Sequence, residues 1–178
     1  MLEVLNPINQ YLYTKIEEKD PILLELEAYA QQHKVPIVTK EVAEYLKMML
    51  QLKKCHHALE IGTAIGYSGI YIAREISGTL TTIEIDKNRF EEAKKNFEKA
   101  KIFNVNQILG DATEEIKHLD ETFDFIFIDA SKGQYQKFFE DSYPKLQQGG
   151  VVFIDNILFR GYVCEEKYPK RYKTLVKK

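Results

Sequence analysis

The chain has 178 residues, of which 44% are hydrophobic and 29% charged, and its formal net charge is −2. This length and composition predict one soluble globular domain, and the charge excludes a uniformly basic nucleic-acid-binding protein. The sequence has no apolar run near the ~20 residues of a transmembrane helix, and its N-terminus lacks the pattern of a signal peptide. Cys55 and Cys164 have no metal-ligand spacing, so we expect reduced thiols in a cytoplasmic protein without membrane attachment.

One stretch departs from this even charge balance. Residues 167–178, "KYPKRYKTLVKK", carry six basic residues and no acidic one. The stretch is either a solvated helix face or a patch that contacts phosphates, and net charge does not separate the two.

The chain before the first strand has the pattern of helices. One helix is predicted over 21–34, with Pro21 in its first turn, and another over 39–54, with Thr39 as its N-cap. The stripes that we expect to face inward follow helical spacing: Ile22, Leu23, Leu26 and Ala30, then Val42, Tyr45, Leu46, Met49 and Leu50.

From residue 57 strands and helices alternate. Strands are predicted near 57–61, 79–85, 106–109, 123–128 and 150–154, with helices near 66–76, 87–101, 111–118 and 133–146. The strands are almost continuously apolar, as in parallel sheets covered by helices on both faces. We therefore predict a single domain over 1–178, an α/β doubly wound fold with a helical N-terminal layer (1–55) before the α/β core (56–178). In such sheets ligands bind at the carboxyl ends of the strands.

A glycine-rich turn follows the first predicted strand. The segment "LEIGTAIGYSG", residues 59–69, has Gly62 where the backbone must turn and Gly66 and Gly69 where a ligand or helix can approach closely. The spacing is not G-x-G-x-x-G, so the dinucleotide fingerprint is absent. A simple turn without a ligand is the alternative.

Three acidic residues strengthen the prediction of a nucleoside site. Glu84 ends the second strand and could accept both ribose hydroxyls. Asp111 could accept the adenine amino group while Ala112 offers its backbone N–H. Glu60, just before the glycine turn, would repel a pyrophosphate but attract a cation. Charge therefore favours S-adenosylmethionine over a nicotinamide dinucleotide.

Oxygen ligands follow two neighbouring strands. Asp129 ends the run "FDFIFID", and Asp155 and Asn156 end "GGVVFIDN". Their hard oxygens suit Mg²⁺, Mn²⁺ or Ca²⁺, which would lower the pKa of a bound hydroxyl. Lys132, one short turn after Asp129, could take the proton or steady the oxyanion. For either strand end alone, capping of the next turn is the alternative.

These motifs together resemble a known family. The blocks "LEIGTAIGYS", "TIEID", "GDA", "FIDASKGQYQKFF" and "GGVVFIDNILFRG" resemble the cation-dependent O-methyltransferases of the catechol and caffeoyl-CoA type over about residues 35–163. The segments "VPIV", "FIDASKGQYQ" and "DNILFRGYV" are most similar to the bacterial branch that methylates 5-hydroxyuridine at the tRNA wobble position.

The resemblance implies a complete set of site residues. The metal ligands would be Asp129, Asp155 and Asn156, and the catalytic residue Lys132. The contacts to S-adenosylmethionine would come from Val38, Glu60, Gly62, Ser68, Glu84, Asp111, Ala112 and Asp129. Arg160 and the basic stretch from Lys167 would hold the anticodon region of the tRNA.

The resemblance also implies a departure at the C-terminal end. Family members continue with the rest of a helix and two further strands, whereas this sequence stops at Lys178. We therefore expect five strands, with the apolar run 151–154 as an exposed edge that a partner chain could cover in a homodimer.

Three hypotheses follow from the sequence. The first is a Mg²⁺- and S-adenosylmethionine-dependent methyltransferase acting on tRNA 5-hydroxyuridine. The second keeps the chemistry but takes small catechol-like or phenolic molecules. The third is a non-catalytic RNA-binding module.

Overall fold

A computed structural model describes residues 2–164 and 169–170, and it leaves aside the side chains of residues 2–6, 9, 132, 159 and 160. Five parallel strands form one sheet in the order β3-β2-β1-β4-β5. They are β1 (Ala58–Ile61), β2 (Leu80–Glu84), β3 (Val105–Leu109), β4 (Phe123–Ile128) and β5 (Leu146–Ile154). The predicted α/β doubly wound fold is confirmed.

Seven α-helices accompany this sheet in the described residues. Three precede it, namely α1 (Leu2–Tyr13), α2 (Pro21–His33) and α3 (Lys40–Lys53). Four lie between or after the strands: α4 (Tyr67–Glu75), α5 (Lys87–Lys99), α6 (Ala112–His118) and α7 (Tyr135–Ser142). None of the helices in this part of the chain is long and apolar enough to cross a membrane.

Alternation along each strand divides the core between the two faces of the sheet. On β4, Phe125 and Phe127 belong to a cluster with residues of α2 to α5. Ile126 and Ile128 belong to the opposite cluster, with residues of α6 and α7. Helices therefore cover both faces, which explains why β4 is apolar at every position except Asp124.

The N-terminal helices begin where the sequence predicted. Asp20 caps α2 by accepting from the backbone N–H of Ile22 at 2.8 Å, and Thr39 caps α3 by accepting from Val42 at 3.5 Å. One member of the predicted inward stripe is wrong, because Tyr45 is half exposed. Its ring nevertheless lies 5.6 Å from that of Phe153 on β5.

The region after β4 differs most from prediction. The single helix expected over 133–146 is α7 flanked by two 3-10 turns, Lys132–Gln134 and Tyr143–Lys145. Pro144 lies in the second turn, where its missing N–H cannot continue an α-helical ladder. Strand β5 begins at Leu146, earlier than the predicted 150, and its register on β4 shifts between Phe123 and Phe125.

Strand β5 forms one edge of the described sheet. Its residues Gly150–Ile154 are only partly buried, unlike the fully buried β4. The predicted apolar edge at 151–154 is thus present in the part of the chain that the structure describes.

The order of strands reverses between β1 and β4, and the two chain segments nearly touch there. Gly62, directly after β1, has φ +101°, and a Cβ at this position would lie 2.2 Å from the backbone oxygen of Asp129, directly after β4. Only glycine fits this approach. The predicted role of Gly62 is therefore explained by contact between two strand ends.

Candidate functional site

A cleft of about 390 Å³ opens at the carboxyl ends of the strands. This is the edge at which doubly wound sheets bind ligands. Seven of the eight predicted cofactor-binding residues line it, namely Val38, Gly62, Ser68, Glu84, Asp111, Ala112 and Asp129, and Asn156 lines it too. The structure therefore brings together residues from six separate segments of the sequence.

Glu84 is held rigidly in the cleft wall. Its Oε2 accepts from the backbone N–H of Ala64 at 2.8 Å, and its Oε1 accepts from that of Asp86 at 2.9 Å. Each carboxylate oxygen has further lone pairs, so the group is both fixed and able to accept from a ligand. This geometry suits recognition of two adjacent hydroxyls.

Glu60 lies behind the cleft wall and does not line it. The residue is fully buried, and its carboxylate accepts from Ser68 Oγ at 2.6 Å and from Thr82 Oγ1 at 2.7 Å. Burial raises the pKa of Glu60 to about 7, although both hydroxyls act against this rise. Glu60 therefore carries less negative charge at neutral pH than a solvent-exposed carboxylate would, and it is joined to the cleft lining by the hydrogen bond from Ser68.

Asp111 has two roles. Its Oδ1 accepts from the backbone N–H of Thr113 at 2.9 Å and from the Thr113 hydroxyl at 2.8 Å, and so caps α6. The residue also lines the cleft beside the buried Ala112. Capping of α6 thus coexists in Asp111 with a place in the cleft.

The predicted metal ligands lie at adjacent strand ends. Asp129 donates its backbone N–H to Ile61 at 3.0 Å, and Asp155 donates its own to Ile128 at 3.1 Å. Asn156 has a left-handed φ of 59° and donates its backbone and side-chain N–H groups to the Asp155 carboxylate, both at 2.7 Å. This pairing has the form of the turn cap that the sequence left open, and the amide oxygen of Asn156 remains as an acceptor.

The donor set suits a hard divalent cation. It offers two carboxylates and one amide, which are oxygen ligands of the kind that Mg²⁺ takes together with water or substrate. The described residues contain no group of three or more His, Cys, Asp or Glu side chains that could hold a metal, so the amide of Asn156 would have to serve as the third protein ligand.

A buried hydroxyl close to these carboxylates has no partner. Tyr135 Oη is shielded from solvent and makes no hydrogen bond within the described structure. Burial, and after it the charges of Asp129 and Asp155, raise the pKa of this phenol. An unpaired buried polar group is costly, which indicates a missing polar component at this place.

The remaining predicted residues are only partly described. Lys132 begins a 3-10 turn directly after the Asp129 segment, and the structure gives its backbone alone. Arg160 lies in the turn Phe159–Cys164, also as backbone. Of the basic stretch 167–178, all but 169–170 falls outside the described residues. The roles of these residues stay predictions.

Several wall residues were missed by sequence reasoning. Ile37, Tyr67, Ile85 and Arg89 also line the cleft. The sequence did carry a signal for Ile85, because this large apolar residue directly follows Glu84 at the end of a strand. In the structure its side chain is exposed (68%). The others depend on how α3, α4 and α5 pack, which periodicity does not give.

A parallel sheet in this order, with a glycine turn after β1 and an acid at the end of β2, defines a Rossmann-like nucleoside-binding protein. A family model described as O-methyltransferase matches residues 14–178. The chain therefore belongs to the O-methyltransferase family and is a transferase of that class.

Individual relatives agree with this assignment. The chain is 29% identical over 173 residues to the catechol O-methyltransferase of Niastella koreensis, covering 92% of this chain and 78% of that protein. Among solved structures it is similar to the O-methyltransferase TomG from Streptomyces achromogenes in complex with SAM (27% identity, TM-score 0.86, covering 98% of this chain and 81% of that one). It is also similar to the O-methyltransferase from Bacillus cereus in complex with SAH (29% identity, TM-score 0.85, covering 98% and 84%).

Proposed function

We propose that this protein is an S-adenosylmethionine- and divalent-cation-dependent O-methyltransferase whose substrate is 5-hydroxyuridine at the wobble position of tRNA. The observation that carries the chemistry is that a rigid Glu84 and the pair Asp129 and Asn156 line the same cleft. A nucleoside cofactor and an oxygen substrate would thus lie side by side, which is what a direct transfer needs.

The chain's own residues give the cofactor end its selectivity. Glu84 would accept from the ribose hydroxyls, and Asp111 and Ala112 would contact the adenine. S-adenosylmethionine, when bound, supplies a methyl group on a sulfonium. The acids Glu84, Asp111 and Asp129 give the cleft a negative character that suits this cation and opposes a pyrophosphate.

The other end of the cleft would bind the substrate oxygens. Asp129, Asp155 and Asn156 would hold the cation, preferentially Mg²⁺. A cation there supplies positive charge that lowers the pKa of a substrate hydroxyl. Lys132 would take the hydroxyl proton or steady the resulting oxyanion, and the strand ends would keep the hydroxyl aligned with the methyl group.

Chemistry and sequence both support the tRNA nucleoside. In 5-hydroxyuridine the 5-hydroxyl and the 4-carbonyl are neighbours, so they can bind one cation together, as the two oxygens of a catechol do. The segments "VPIV", "FIDASKGQYQ" and "DNILFRGYV" resemble the branch of the family that acts on this nucleoside. The basic residues from Lys167 onward would contact the anticodon backbone.

Small catechols are the second candidate, which the similarity to a catechol O-methyltransferase favours. Their two neighbouring hydroxyl oxygens could bind one cation together in the same way. Selection between the two substrates would then depend on contacts to the tRNA outside the cleft.

The deciding experiment is methyl transfer from labelled S-adenosylmethionine with Mg²⁺. The acceptors are tRNA from a strain deficient in this methylation, the same tRNA lacking 5-hydroxyuridine, and catechol. Mass spectrometry of the nucleosides should show 5-methoxyuridine in the first sample alone. Transfer to catechol with none to tRNA would replace the first candidate by the second. Binding of tRNA without transfer to any acceptor would support the RNA-binding hypothesis and overturn the catalytic proposal.

A further inference from the structure

The hydroxyl of Tyr135 is the least explained polar group near the site. The residue opens α7 and its ring packs against the cluster on the α6–α7 face of the sheet, as Ala130 and Ile154 do. Packing accounts for the ring but leaves the buried oxygen without a partner.

The surroundings of this hydroxyl are charged on one side. Ala130 and Ile154, the chain neighbours of Asp129 and Asp155, pack against the same cluster as the Tyr135 ring. The two carboxylates act electrostatically on the phenol, yet the hydroxyl makes no hydrogen bond to either. A phenol is protonated at neutral pH and can both donate and accept.

A buried hydroxyl that interacts electrostatically with two carboxylates but bonds to neither can be joined to them through a bridging water. Divalent cations held by few protein oxygens keep waters in their coordination sphere. Residues that hydrogen-bond to the ligands of a metal orient those ligands and tune affinity. The position of Tyr135 fits this role.

We propose that Tyr135 is a positioning residue of the cation site, whose hydroxyl hydrogen-bonds through a water to the ligand sphere formed by Asp129 and Asp155. This inference rests on the cation dependence in the proposed function. The proposed role affects the affinity of the site for the cation and the positions of the ligands. Tyr135 itself contacts neither substrate nor cofactor in this role.

The test is the binding of Mn²⁺ to the full chain without cofactor or substrate, measured by electron paramagnetic resonance and by calorimetry. For Tyr135→Phe we expect affinity to fall by roughly 10-fold or more, the usual effect of removing such a partner, with a changed Mn²⁺ spectrum. The cation-induced rise in Tm should shrink, while the Tm without cation should stay the same or increase, because an unpaired buried hydroxyl has been removed.

Two variants serve as controls. Tyr143→Phe removes a hydroxyl from an exposed tyrosine in the turn after α7 and should leave Mn²⁺ affinity unchanged. Asp155→Ala removes a proposed ligand and should abolish binding.

The outcomes separate this inference from the proposal on which it rests. If the parent protein binds Mn²⁺ and Asp155→Ala does not, but Tyr135→Phe binds within twofold of the parent, Tyr135 has no positioning role and the cation site stands. If Tyr135→Phe lowers Tm equally with and without cation, the hydroxyl is structural and the inference is wrong. If the parent binds no Mn²⁺, both the cation dependence and the inference are overturned.

Discussion

The two ends of the cleft differ in how far the chain satisfies its own polar groups. At the cofactor end, comprising residues 59–69, Glu84 and Asp111, each acid accepts at least two hydrogen bonds from the protein. At the substrate end, Asp129 and Asn156 line the cleft, Asp155 directly precedes Asn156, and the buried hydroxyl of Tyr135 is unpaired. The cofactor end is therefore built in advance, whereas the substrate end needs further components to complete it.

The strongest test of this comparison is Asp155→Ala. It removes a carboxylate from the substrate end, so we expect methyl transfer to fall about 1000-fold or more, equivalent to about 4 kcal/mol of transition-state stabilisation. Affinity for S-adenosylmethionine, measured by calorimetry, should change less than twofold. The exposed Asp120 gives a control in Asp120→Ala, which should leave both quantities unchanged. An equal loss of cofactor affinity in Asp155→Ala would show that the ends are not independent.

Gly62→Ala should disrupt the junction of the two ends. The new Cβ would meet the Asp129 carbonyl in a backbone conformation that alanine disfavours, so we expect about 3 kcal/mol of lost stability. Urea unfolding measures this. Gly149→Ala is the matched control, since its φ is +76° but nothing lies within 4 Å of the added Cβ. Similar losses in the two variants would mean that conformation alone, rather than the contact, is responsible.

Glu60 should make stability depend on pH. Burial raises the pKa of Glu60 from 4.5 to about 7, so the folded state binds a proton more tightly than the unfolded chain. The resulting stabilisation is complete below pH 4.5 and is lost as pH rises to 7 and through it, by at most about 3 kcal/mol.

Urea unfolding of Glu60→Gln between pH 4 and 8 checks this expectation. The free energy of unfolding of the parent should fall relative to that of Glu60→Gln as pH rises over that window, because glutamine does not titrate. The exposed Glu98 provides Glu98→Gln as the comparison. A constant difference for Glu60→Gln would contradict the raised pKa.

The smallest expected effect is that of Glu84→Gln. The amide keeps one acceptor and loses the other, so we expect affinity for S-adenosylmethionine to fall about 10-fold, or about 1.4 kcal/mol. The rate at saturating cofactor should change little. Glu91→Gln, at an exposed site on α5, is the control. A large loss of rate with unchanged affinity would assign Glu84 to the substrate end instead.

The sequence predicted the strands and their polar ends well. Apolar runs that stop at Asp129 and Asp155 are typical of buried strands whose carboxyl ends reach the solvent. Alternation along β1 also contained the information that places Glu60 behind the cleft wall. Leu59 and Ile61 face the α6–α7 cluster. Glu60 must therefore face the opposite side of the sheet, where Ser68 on α4 donates a hydrogen bond to it. The unpaired hydroxyl of Tyr135 had no comparable signal, since an aromatic after a turn has the same pattern whether its oxygen is exposed or buried.

The segment between α2 and α3 has a consequence for the rate at which ligands leave. Pro36, Ile37 and Val38 form part of the cleft wall, and Glu27 anchors this wall at both sides. It accepts from Tyr67 Oη on α4 at 2.8 Å and pairs with Lys40 at 3.0 Å. A movement of this segment that separates α2 from α3 would break this ion pair, and salt screens such pairs. We therefore expect the residence time of a bound cofactor to shorten as ionic strength rises.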